Sequence, residues 1–314
     1  MSLLDTVLDA TVLHSFDASG FLRHARSFRP ADLAVDLHGA NVVVTGANAG
    51  IGWALCEAVA ARGATVWMVC RDPARGAAAR DRLAALARVP PRLCIADMGE
   101  LAQVRALADS LPERIHALVH NAGSLDPTLR RTREGHEVTF ATHVLGPHLL
   151  TRRVGSRCAR IVFMSSGGMY SVGLDLAALV EPREPFDGVR AYALAKRAQV
   201  AMLARWAERL PEAAVHAMHP GWAATPGVAR ALPRFDRWMS GRLRTAAQGA
   251  DTAVWLCVAE APGRSTGGFW FDRQQVATHL LPWTRRADAT VAAAWTAIEA
   301  MTDGSPDADD PRPR

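Results

Sequence analysis

The sequence predicts an α/β protein in which a doubly wound parallel sheet forms a single domain behind an N-terminal helical extension. From residue 41 onward, short apolar runs alternate with helical stretches. The runs are nearly uninterrupted, which is typical of strands that helices cover on both faces. A glycine-rich turn directly follows the first run. Because crossovers between parallel strands are right-handed, this order predicts a sheet wound in two directions.

Each element follows from its own pattern. The apolar runs predict six strands: Asn41–Thr45, Thr65–Cys70, Leu93–Ala96, Ala117–His120, Ile161–Met164 and Ala214–Met218. Helical periodicity in the intervening segments predicts helices over 51–62, 72–88, 101–110, 133–153 and 189–210. The domain is therefore expected at residues 39–301. An extension covers 1–38, and an acidic, Pro-rich, disordered tail is expected over 302–314.

The extension carries apolar residues at helical spacing. They are Leu4, Val7, Leu8, Val12 and Phe16, followed by Phe21, Leu22 and Phe28. The favoured interpretation is a helix packed on the domain surface. Weak contact with a membrane surface or a partner is the alternative. It is disfavoured because Asp5, Asp9 and Asp17 would repel anionic lipid.

Composition narrows the classes of protein. The chain has 314 residues and a net charge of +5, with scattered arginines and no basic stretch interleaved with aromatics, so no nucleic-acid partner is expected. Its five widely spaced cysteines predict buried thiols in a reducing compartment, here the cytoplasm, and no metal site is expected. No apolar run reaches transmembrane length. The Ala- and Arg-rich, Lys-poor usage indicates a bacterial source.

The single lysine lies four residues after one of only two tyrosines. Tyr192 and Lys196 therefore share a helix face, and the ammonium is expected to lower the pKa of the phenol. An exposed helical pair without chemistry is the alternative. Tyr170, the other phenol, has Leu174 four residues on, so it is rejected as a base.

A turn rich in glycine joins the first strand to the first helix. It reads Thr45-Gly46-Ala47-Asn48-Ala49-Gly50-Ile51-Gly52. Glycines there let backbone amides approach a pyrophosphate at the helix N-terminus, as in Rossmann-type folds. A purely structural turn is the alternative.

The end of the second strand bears on the choice of dinucleotide. An acidic residue there would bind ribose hydroxyls and repel a 2′-phosphate. The chain has Cys70, Arg71 and Asp72, and a guanidinium suits a phosphate. NADP(H) is therefore favoured over NAD(H). Arg71 could instead be solvated, and Asp72 could turn inward and favour NAD.

These motifs together resemble the short-chain dehydrogenase/reductase superfamily, classical type, over about residues 39–275. The turn at 45–52, the run His120-Asn121-Ala122-Gly123, Ser166, the Tyr192/Lys196 pair and Pro220-Gly221 occur in the family's order. The closer resemblance is to the dehydrogenase/reductase SDR family member 12 subgroup, near the retinol-dehydrogenase-like branch. It rests on segments such as His219-Pro220-Gly221-Trp222 and Ala247-Gln248-Gly249-Ala250-Asp251-Thr252.

The resemblance implies roles for individual residues. Ser166 would hydrogen-bond the substrate carbonyl, although neighbouring Ser165 competes for the inward-facing position. Tyr192 would be the general acid in reduction and the base in oxidation, and Lys196 would bind the cofactor ribose. The implied cofactor-binding residues are Gly46, Asn48, Gly50, Ile51, Gly52, Arg71, Asp97, Met98, Asn121, Ala122, Gly123, Tyr192, Lys196, Pro220, Gly221 and Thr225. Family members commonly dimerise through the helices near positions 143 and 196.

Two departures from the family pattern stand out. His143 lies where the family carries an asparagine that holds a water beside the lysine. It is either a relay, since imidazole titrates near neutral pH, or a tolerated structural replacement. The segment between Ser166 and Tyr192 is also longer than usual, and residues 181–186 are expected at the mouth of the site.

An apolar stretch after the sixth strand corresponds to the family's substrate lid, unless it is ordinary helix packing. Its apolar members are Trp222, Leu232, Phe235, Trp238, Met239 and Leu243, with Arg230, Arg234 and Arg237 among them. The sequence thus predicts an NADP(H)-dependent oxidoreductase that interconverts a carbonyl and an alcohol on a lipophilic small molecule. A non-catalytic dinucleotide-binding regulator or scaffold is the main alternative, and a sugar-nucleotide epimerase or dehydratase ranks last.

Overall fold

The computed structural model describes residues 8–9, 11–225 and 233–303. Within them, the strands are β1 Asn41–Thr45, β2 Thr65–Cys70, β3 Arg92–Ile95, β4 Ile115–His120, β5 Cys158–Met164, β6 Ala214–Met218, β7 Phe269–Phe271 and β8 Gln274–Gln275. They form one sheet in the order β3-β2-β1-β4-β5-β6-β7-β8. All neighbours are parallel except β7 and β8.

Helices lie on both faces of this sheet and in the N-terminal extension. They are α1 Val12–Phe16, α2 Ala18–His24, α3 Gly50–Ala60, α4 Pro73–Ala84, α5 Leu101–Ser110, α6 Val138–Phe140, α7 Gly146–Val154, α8 Leu176–Val180, α9 Gly188–Ala201, α10 Leu203–Arg209, α11 Pro233–Trp238, α12 Ala246–Val258, α13 Glu260–Gly263 and α14 Asp288–Asp303. Two apolar clusters, one built around α3 and α12 and the other around α5, α7 and α9, cover the two faces. The predicted doubly wound fold is confirmed.

The differences from prediction have local causes. The helix expected over 133–153 begins at Val138, because the Glu137 carboxylate caps the amides of Thr139 and Phe140. The helix expected over 189–210 is divided at Met202 into two helices. Strands β7 and β8 were not predicted, since runs of three and two residues are too short to show a period.

The extension packs on the domain through a few inward-facing side chains. Phe16 is only 8% exposed, belongs to the larger apolar cluster and packs against Phe271. Val12 and Leu22 are 48% and 59% exposed, as on an amphipathic helix that lies on the domain surface. Leu4 and Val7 lie outside the described residues.

The C-terminal boundary also shifts. Helix α14 runs through Asp303, and Thr302 is fully buried, with its hydroxyl donating to the carbonyl oxygen of Ile298. The tail expected from Thr302 onward therefore excludes that residue, and residues 304–314 lie outside the described part. The five cysteines are free, and all but the half-buried Cys94 are buried. No helix in the described ranges has the length and apolarity needed to cross a bilayer.

Candidate active site

Helix α9 carries the tyrosine and lysine pair, and its start is fixed by a cap. The Asp187 carboxylate accepts hydrogen bonds from the amides of Val189 and Arg190, each at 3.0 Å. Tyr192 and Lys196 then lie one turn apart on the helix face that meets the end of β5. The Lys196 ammonium is 5.6 Å from the centroid of the Tyr192 ring.

Lys196 is a buried cation. Its side chain is 2% exposed, and Nζ donates to the carbonyl oxygen of Met164 at 2.5 Å. Burial lowers the pKa of Lys196 from 10.5 to about 7. The interpretation of Tyr192 and Lys196 as an exposed helical pair is therefore wrong.

The two serines after β5 face different partners. Ser165 is buried, and its hydroxyl donates to the carbonyl oxygen of Lys196 at 3.1 Å. Ser166 faces Tyr192, and its hydrogen bond lowers the pKa of that phenol. The Ser166 oxygen also accepts from the amide of Gly168 at 3.3 Å. The structure thus brings Ser166, Tyr192 and Lys196 together and directs Ser165 elsewhere.

The phenol does not have the pKa that the sequence predicts. Desolvation in the packed site raises the pKa of Tyr192, and the Ser166 hydrogen bond offsets only part of that rise. The net shift is opposite to the lowering expected from Lys196, whose ammonium is itself desolvated and donates to the carbonyl oxygen of Met164. Tyr170 is a poorer candidate for the base. Its hydroxyl donates to the carbonyl oxygen of Ala277, and burial raises its pKa to about 12.

A π-helical stretch, Ala141–Leu145, separates α6 from α7 and carries His143. Pro147 has no amide hydrogen, so it cannot donate to the carbonyl oxygen of His143 one turn earlier. The side chain of Gln199, on α9, donates to that oxygen at 2.8 Å. The π-helical stretch is thereby tied to the helix that carries Tyr192.

The His143 ring packs edge-on against Tyr192, with centroids 5.2 Å apart. Its Nε2 lies 2.8 Å from the carbonyl oxygen and 3.1 Å from the amide nitrogen of Ser124. Burial and the Lys196 charge hold the pKa of His143 well below its usual range, so the ring is neutral at physiological pH. The Nδ1 atom is buried without a hydrogen-bond partner.

The glycine turn is shaped by contact with the loop after β4. A side chain at Gly52 would meet the Asn121 amide nitrogen at 2.4 Å, and Gly46 has a left-handed φ of +67°. Asn121 donates to the carbonyl oxygens of Thr45 and Gly46 at 2.9 and 3.2 Å. Its side-chain amide nitrogen therefore holds the turn against the end of β1. Helix α3 begins beyond Ala49, which provides no side-chain cap for its first amides.

The ends of β2 and β3 bring Arg71 and Asp97 together. The two side chains lie 3.6 Å apart at their nearest charged atoms, and Arg71 is 55% exposed. Asp72 caps α4 instead of turning inward, because its carboxylate accepts from the amide of Arg75 at 2.9 Å. Cys70, where an acid would lie in an NAD-specific site, is a buried neutral thiol whose pKa desolvation raises to about 11.

The other residues implied in cofactor binding fall at the same edge of the sheet. Their loops follow β1, β3, β4 and β6 in turn. Half-buried positions are Asn48, Ile51, Ala122, Pro220 and Thr225, whereas Met98 is buried in the core and Gly123 is exposed. Gly221 has a left-handed φ of +69°.

The apolar stretch after β6 is only partly described. Met239 is fully buried, Trp238 is 66% exposed, and Arg234 and Arg237 are exposed. Arg230 and Leu232 lie outside the described residues. Over the ranges the structure covers, no three His, Cys, Asp or Glu side chains cluster as a metal site would require.

Several residues that build the site were missed from sequence. Buried Arg197 donates to the carbonyl oxygens of Met169 and Val172, at 2.7 and 3.0 Å, and so supports the turn after Ser166. Buried Arg244 forms an ion pair with Asp272. The only available signal was that these arginines fall in apolar helical or strand-flanking contexts, which does not identify their partners.

The sequence is similar to a recognised family along most of its length. The family model described as enoyl-(acyl carrier protein) reductase matches residues 46–267. A Homo sapiens protein named dehydrogenase/reductase SDR family member 12 is 37% identical over 290 residues, covering 89% of this chain and 92% of that protein. A Streptomyces protein named "Putative daunorubicin C-13 ketoreductase DnrU" is 35% identical, covering 76% of this chain and 85% of that protein.

A solved structure also resembles the fold closely. It is the crystal structure of a "putative uncharacterized protein" from Mycobacterium paratuberculosis, with a TM-score of 0.71 and 26% identity, covering 88% of this chain and 97% of that one. The family order of motifs, the parallel sheet and these relatives agree. The chain belongs to the short-chain dehydrogenase/reductase family and is an oxidoreductase that interconverts CH–OH and C=O groups with a nicotinamide dinucleotide.

Proposed function

We propose that this enzyme uses NADP(H) to interconvert a carbonyl and an alcohol on a lipophilic substrate, with Tyr192 as the general acid and base. The observation that carries the proposal is the convergence of Ser166, Tyr192 and Lys196. Ser166 hydrogen-bonds Tyr192, and the buried Lys196 lies 5.6 Å from its ring. The same hydroxyl pair can bind one substrate oxygen.

In the reducing direction, Tyr192 donates its proton to the carbonyl oxygen. Ser166 donates its hydroxyl hydrogen to the same oxygen, while its own oxygen accepts a hydrogen bond from the Gly168 amide. Lys196 stabilises the resulting phenolate electrostatically, because a nearby cation favours the charged form of an acid. In oxidation the proton moves in the opposite direction.

The chain has a suitable cradle for the dinucleotide. The uncapped amides at the start of α3 suit a pyrophosphate, and Gly50 has a left-handed φ of +57°, which residues with a side chain rarely adopt. A bound nicotinamide ring supplies or accepts the hydride. Arg71 and Asp97 would hold the adenosine end, and Lys196 would donate to the ribose beside the reacting centre.

The preference for NADP(H) rests on charge at the end of β2. Arg71 is exposed and directed toward Asp97, so its guanidinium is available to a 2′-phosphate. The capping role of Asp72 removes the acid that would favour NAD.

The preference for a lipophilic substrate rests on the lid. The described part of this segment includes the half-buried Trp222 and Leu243 and the exposed Trp238. Binding pockets lined by such side chains favour apolar ligands. The name of the Streptomyces relative, which specifies ketone reduction, supports the same chemistry.

We further propose that neutral His143 replaces the relay asparagine in position but acts mainly by orienting the loop at Ser124. Its Nε2 lies within hydrogen-bond distance of the Ser124 backbone. The unpartnered Nδ1 then offers an acceptor to a water near Lys196.

The free cysteines support a cytoplasmic setting, and a dimer through the helices near positions 143 and 196 is likewise proposed. Sedimentation analysis tests the dimer, because a monomer at micromolar concentration would contradict it.

The activity is tested by following NADPH consumption with decanal, acetophenone, daunorubicin and hydrophilic glyceraldehyde. We expect turnover of at least one lipophilic carbonyl and loss of most activity in Tyr192→Phe. Tight NADPH binding without any turnover would contradict the proposal, and turnover of glyceraldehyde alone would contradict its lipophilic part.

Cofactor preference is tested with Arg71→Ala. The variant should bind NADPH about tenfold more weakly, while NADH affinity changes little, because only NADPH carries the phosphate that the guanidinium pairs with. Arg75→Ala is the matched control, since Arg75 is a similarly exposed arginine that pairs with Asp72. An unchanged affinity of Arg71→Ala for NADPH would show that Arg71 is merely solvated.

A further inference from the structure

The segment after β6 forms a loop whose two ends lie side by side. We define the lid as the described residues 222–225 and 233–244. Its two ends are joined by one parallel β-bridge: the amide of Arg244 donates to the carbonyl oxygen of Trp222, and the amide of Ala224 donates to that of Arg244, each at 2.8 Å. These ends, residues 222–224 and 242–244, form the lid stem.

The N-terminal extension bonds to both sides of this stem. The amide of Trp222 donates to the carbonyl oxygen of Phe16 at 2.8 Å. On the other side, the amide of Ala18 donates to the carbonyl oxygen of Arg242 at 2.9 Å. The Arg242 guanidinium in turn donates to the buried carboxylate of Asp17 at 2.8 Å. Residues 15–18 thus hold the lid stem by its backbone at both ends.

A buried ion pair fixes the same segment to the sheet. Arg244 and Asp272 are 1% and 2% exposed, and their two hydrogen bonds measure 2.6 and 2.8 Å. Of the three remaining guanidinium hydrogens, two donate to the carbonyl oxygens of Ser15 and Phe16, each at 2.9 Å, and the third to that of Pro220 at 3.4 Å. His24 contacts the same Asp272 carboxylate at 2.6 Å. The backbone of the extension therefore satisfies two of the donors that the buried pair leaves.

The ring of Phe16 fills the space between the stem and the reacting centre. Its centroid is 4.6 Å from the ring of His219 and 5.8 Å from that of Trp222. On its other side lies Gly167, directly after Ser166, where an added methyl group would meet the ring at 2.4 Å. The ring therefore packs against both the turn after Ser166 and the start of the lid.

We propose that residues 15–18 form a clamp that positions the substrate lid, with Phe16 as a positioning residue for substrate binding. The inference rests on the proposed function of the lid. The turn after Ser166 has a second support in the Arg197 hydrogen bonds. Loosening the clamp should therefore weaken substrate binding while the positions of the reacting hydroxyls change little.

Ala18→Pro is the sharpest test. Ala18 is the first residue of α2, where proline is well tolerated, and Asp17 before it has the extended backbone that a following proline requires. The change removes the hydrogen bond to Arg242 and places a ring carbon against that oxygen. Phe16→Ala removes the aromatic contacts, and Phe28→Ala is its matched control on the same extension, packed against Phe21 and Arg273 away from the lid stem.

Hydrogen exchange measures the clamp without any substrate. In Ala18→Pro, amides of residues 222–224 and 242–244 should exchange at least about tenfold faster, whereas those of β1, β4 and β5 keep their protection. With decanal, KM should rise about tenfold while kcat changes by less than about threefold, because ground-state and transition-state binding are lost together. NADPH affinity should fall by less than KM for decanal rises, because only the nicotinamide-side residues such as Gly221, and not Arg71 or Asp97, adjoin the stem.

The outcomes separate the two proposals. Unchanged exchange in the stem of both Ala18→Pro and Phe16→Ala would overturn the clamp, whatever the wild type does with decanal. Faster exchange with unchanged KM would also overturn it, because the clamp would then not position the lid for substrate. If stem exchange is faster in the variants, but the wild type binds NADPH and reduces no carbonyl, the clamp stands and the proposed activity is refuted. Phe28→Ala should match the wild type in all three measurements.

Discussion

At the scale of single residues, Lys196 shows how burial changes the meaning of a sequence pattern. The spacing between Tyr192 and Lys196 predicts that they share one helix face, and in the structure they do. The expected lowering of the phenol pKa could not be judged from spacing, because it depends on desolvation of both groups. Lys196 instead has its own pKa lowered to about 7 by burial. The buried ammonium therefore costs the folded protein stability.

Lys196→Met should stabilise the cofactor-free fold in a pH-dependent way. Below about pH 7 the wild-type lysine is charged in both states, so the folded protein carries the full penalty of the buried charge. Between about pH 7 and 10.5 only the unfolded lysine keeps its proton, and wild-type stability rises by up to about 1.4 kcal/mol per pH unit. The advantage of the variant should therefore shrink over that range.

Urea unfolding of both proteins at several pH values measures this difference. The hydrogen bond to Met164 is lost in the variant, which subtracts about 1–3 kcal/mol at every pH. That loss is independent of pH, so the change with pH remains diagnostic. A constant difference between the two proteins from pH 7 to pH 10 would mean that Lys196 is not desolvated as described.

At the scale of elements, sequence patterns located the long elements and missed contacts between distant ones. The six predicted strands are present, five as largely buried runs and β3 as an edge strand that is exposed at both of its ends. The π-helical stretch around His143 was not predicted, since it depends on how Pro147 and Gln199 meet in space. The clamp was also missed: Phe16 and Arg244 lie 228 positions apart, and no local pattern marks either as a partner.

Gln199→Leu tests the link between the two central helices. The side chain of Gln199 is the described donor to the carbonyl oxygen of His143, and both groups are buried. Removing it leaves that oxygen unpaired, which should destabilise the protein by about 1–3 kcal/mol. Adding Pro147→Ala restores an amide hydrogen one turn after His143, so the double variant should regain part of the loss.

A double-mutant cycle in urea gives the coupling between these positions. Pro147→Ala alone should leave the free energy of unfolding unchanged or raise it slightly, because Gln199 still donates to the carbonyl oxygen of His143 in that variant. Strictly additive effects of the two substitutions would contradict the compensating role of Gln199.

At the scale of the whole molecule, buried histidines make the fold sensitive to acid; burial lowers the pKa of His216 and of four others. His120, His148 and His219 have their pKa lowered to about 3 by burial, and the pKa of His143 is lowered well below 6.5. Each is at most 3% exposed. Their contributions to the pH dependence have the same sign, and His120 and His143 share Lys196 as a charged neighbour. His24 has a raised pKa beside Asp272 and Asp9, and its contribution is complete below pH 6.5 and lost only above that value.

Stability should therefore fall steeply as the pH decreases from about 6.5 toward 3, because the unfolded chain then binds protons that the folded chain excludes. Each fully titrating histidine contributes up to about 1.4 kcal/mol per pH unit, so four together exceed the usual stability of a domain within about 1–3 pH units.

His148→Leu should reduce this slope by about one proton, since His148 packs between Trp206 and Trp295 with its Nε2 unpartnered. His38→Leu is the control, because that side chain is exposed in the folded protein and its loss should leave the slope unchanged. Urea midpoints measured across the acid range give the slopes directly, and equal slopes for the wild type and His148→Leu would show that the buried histidine is not what makes the fold acid-sensitive.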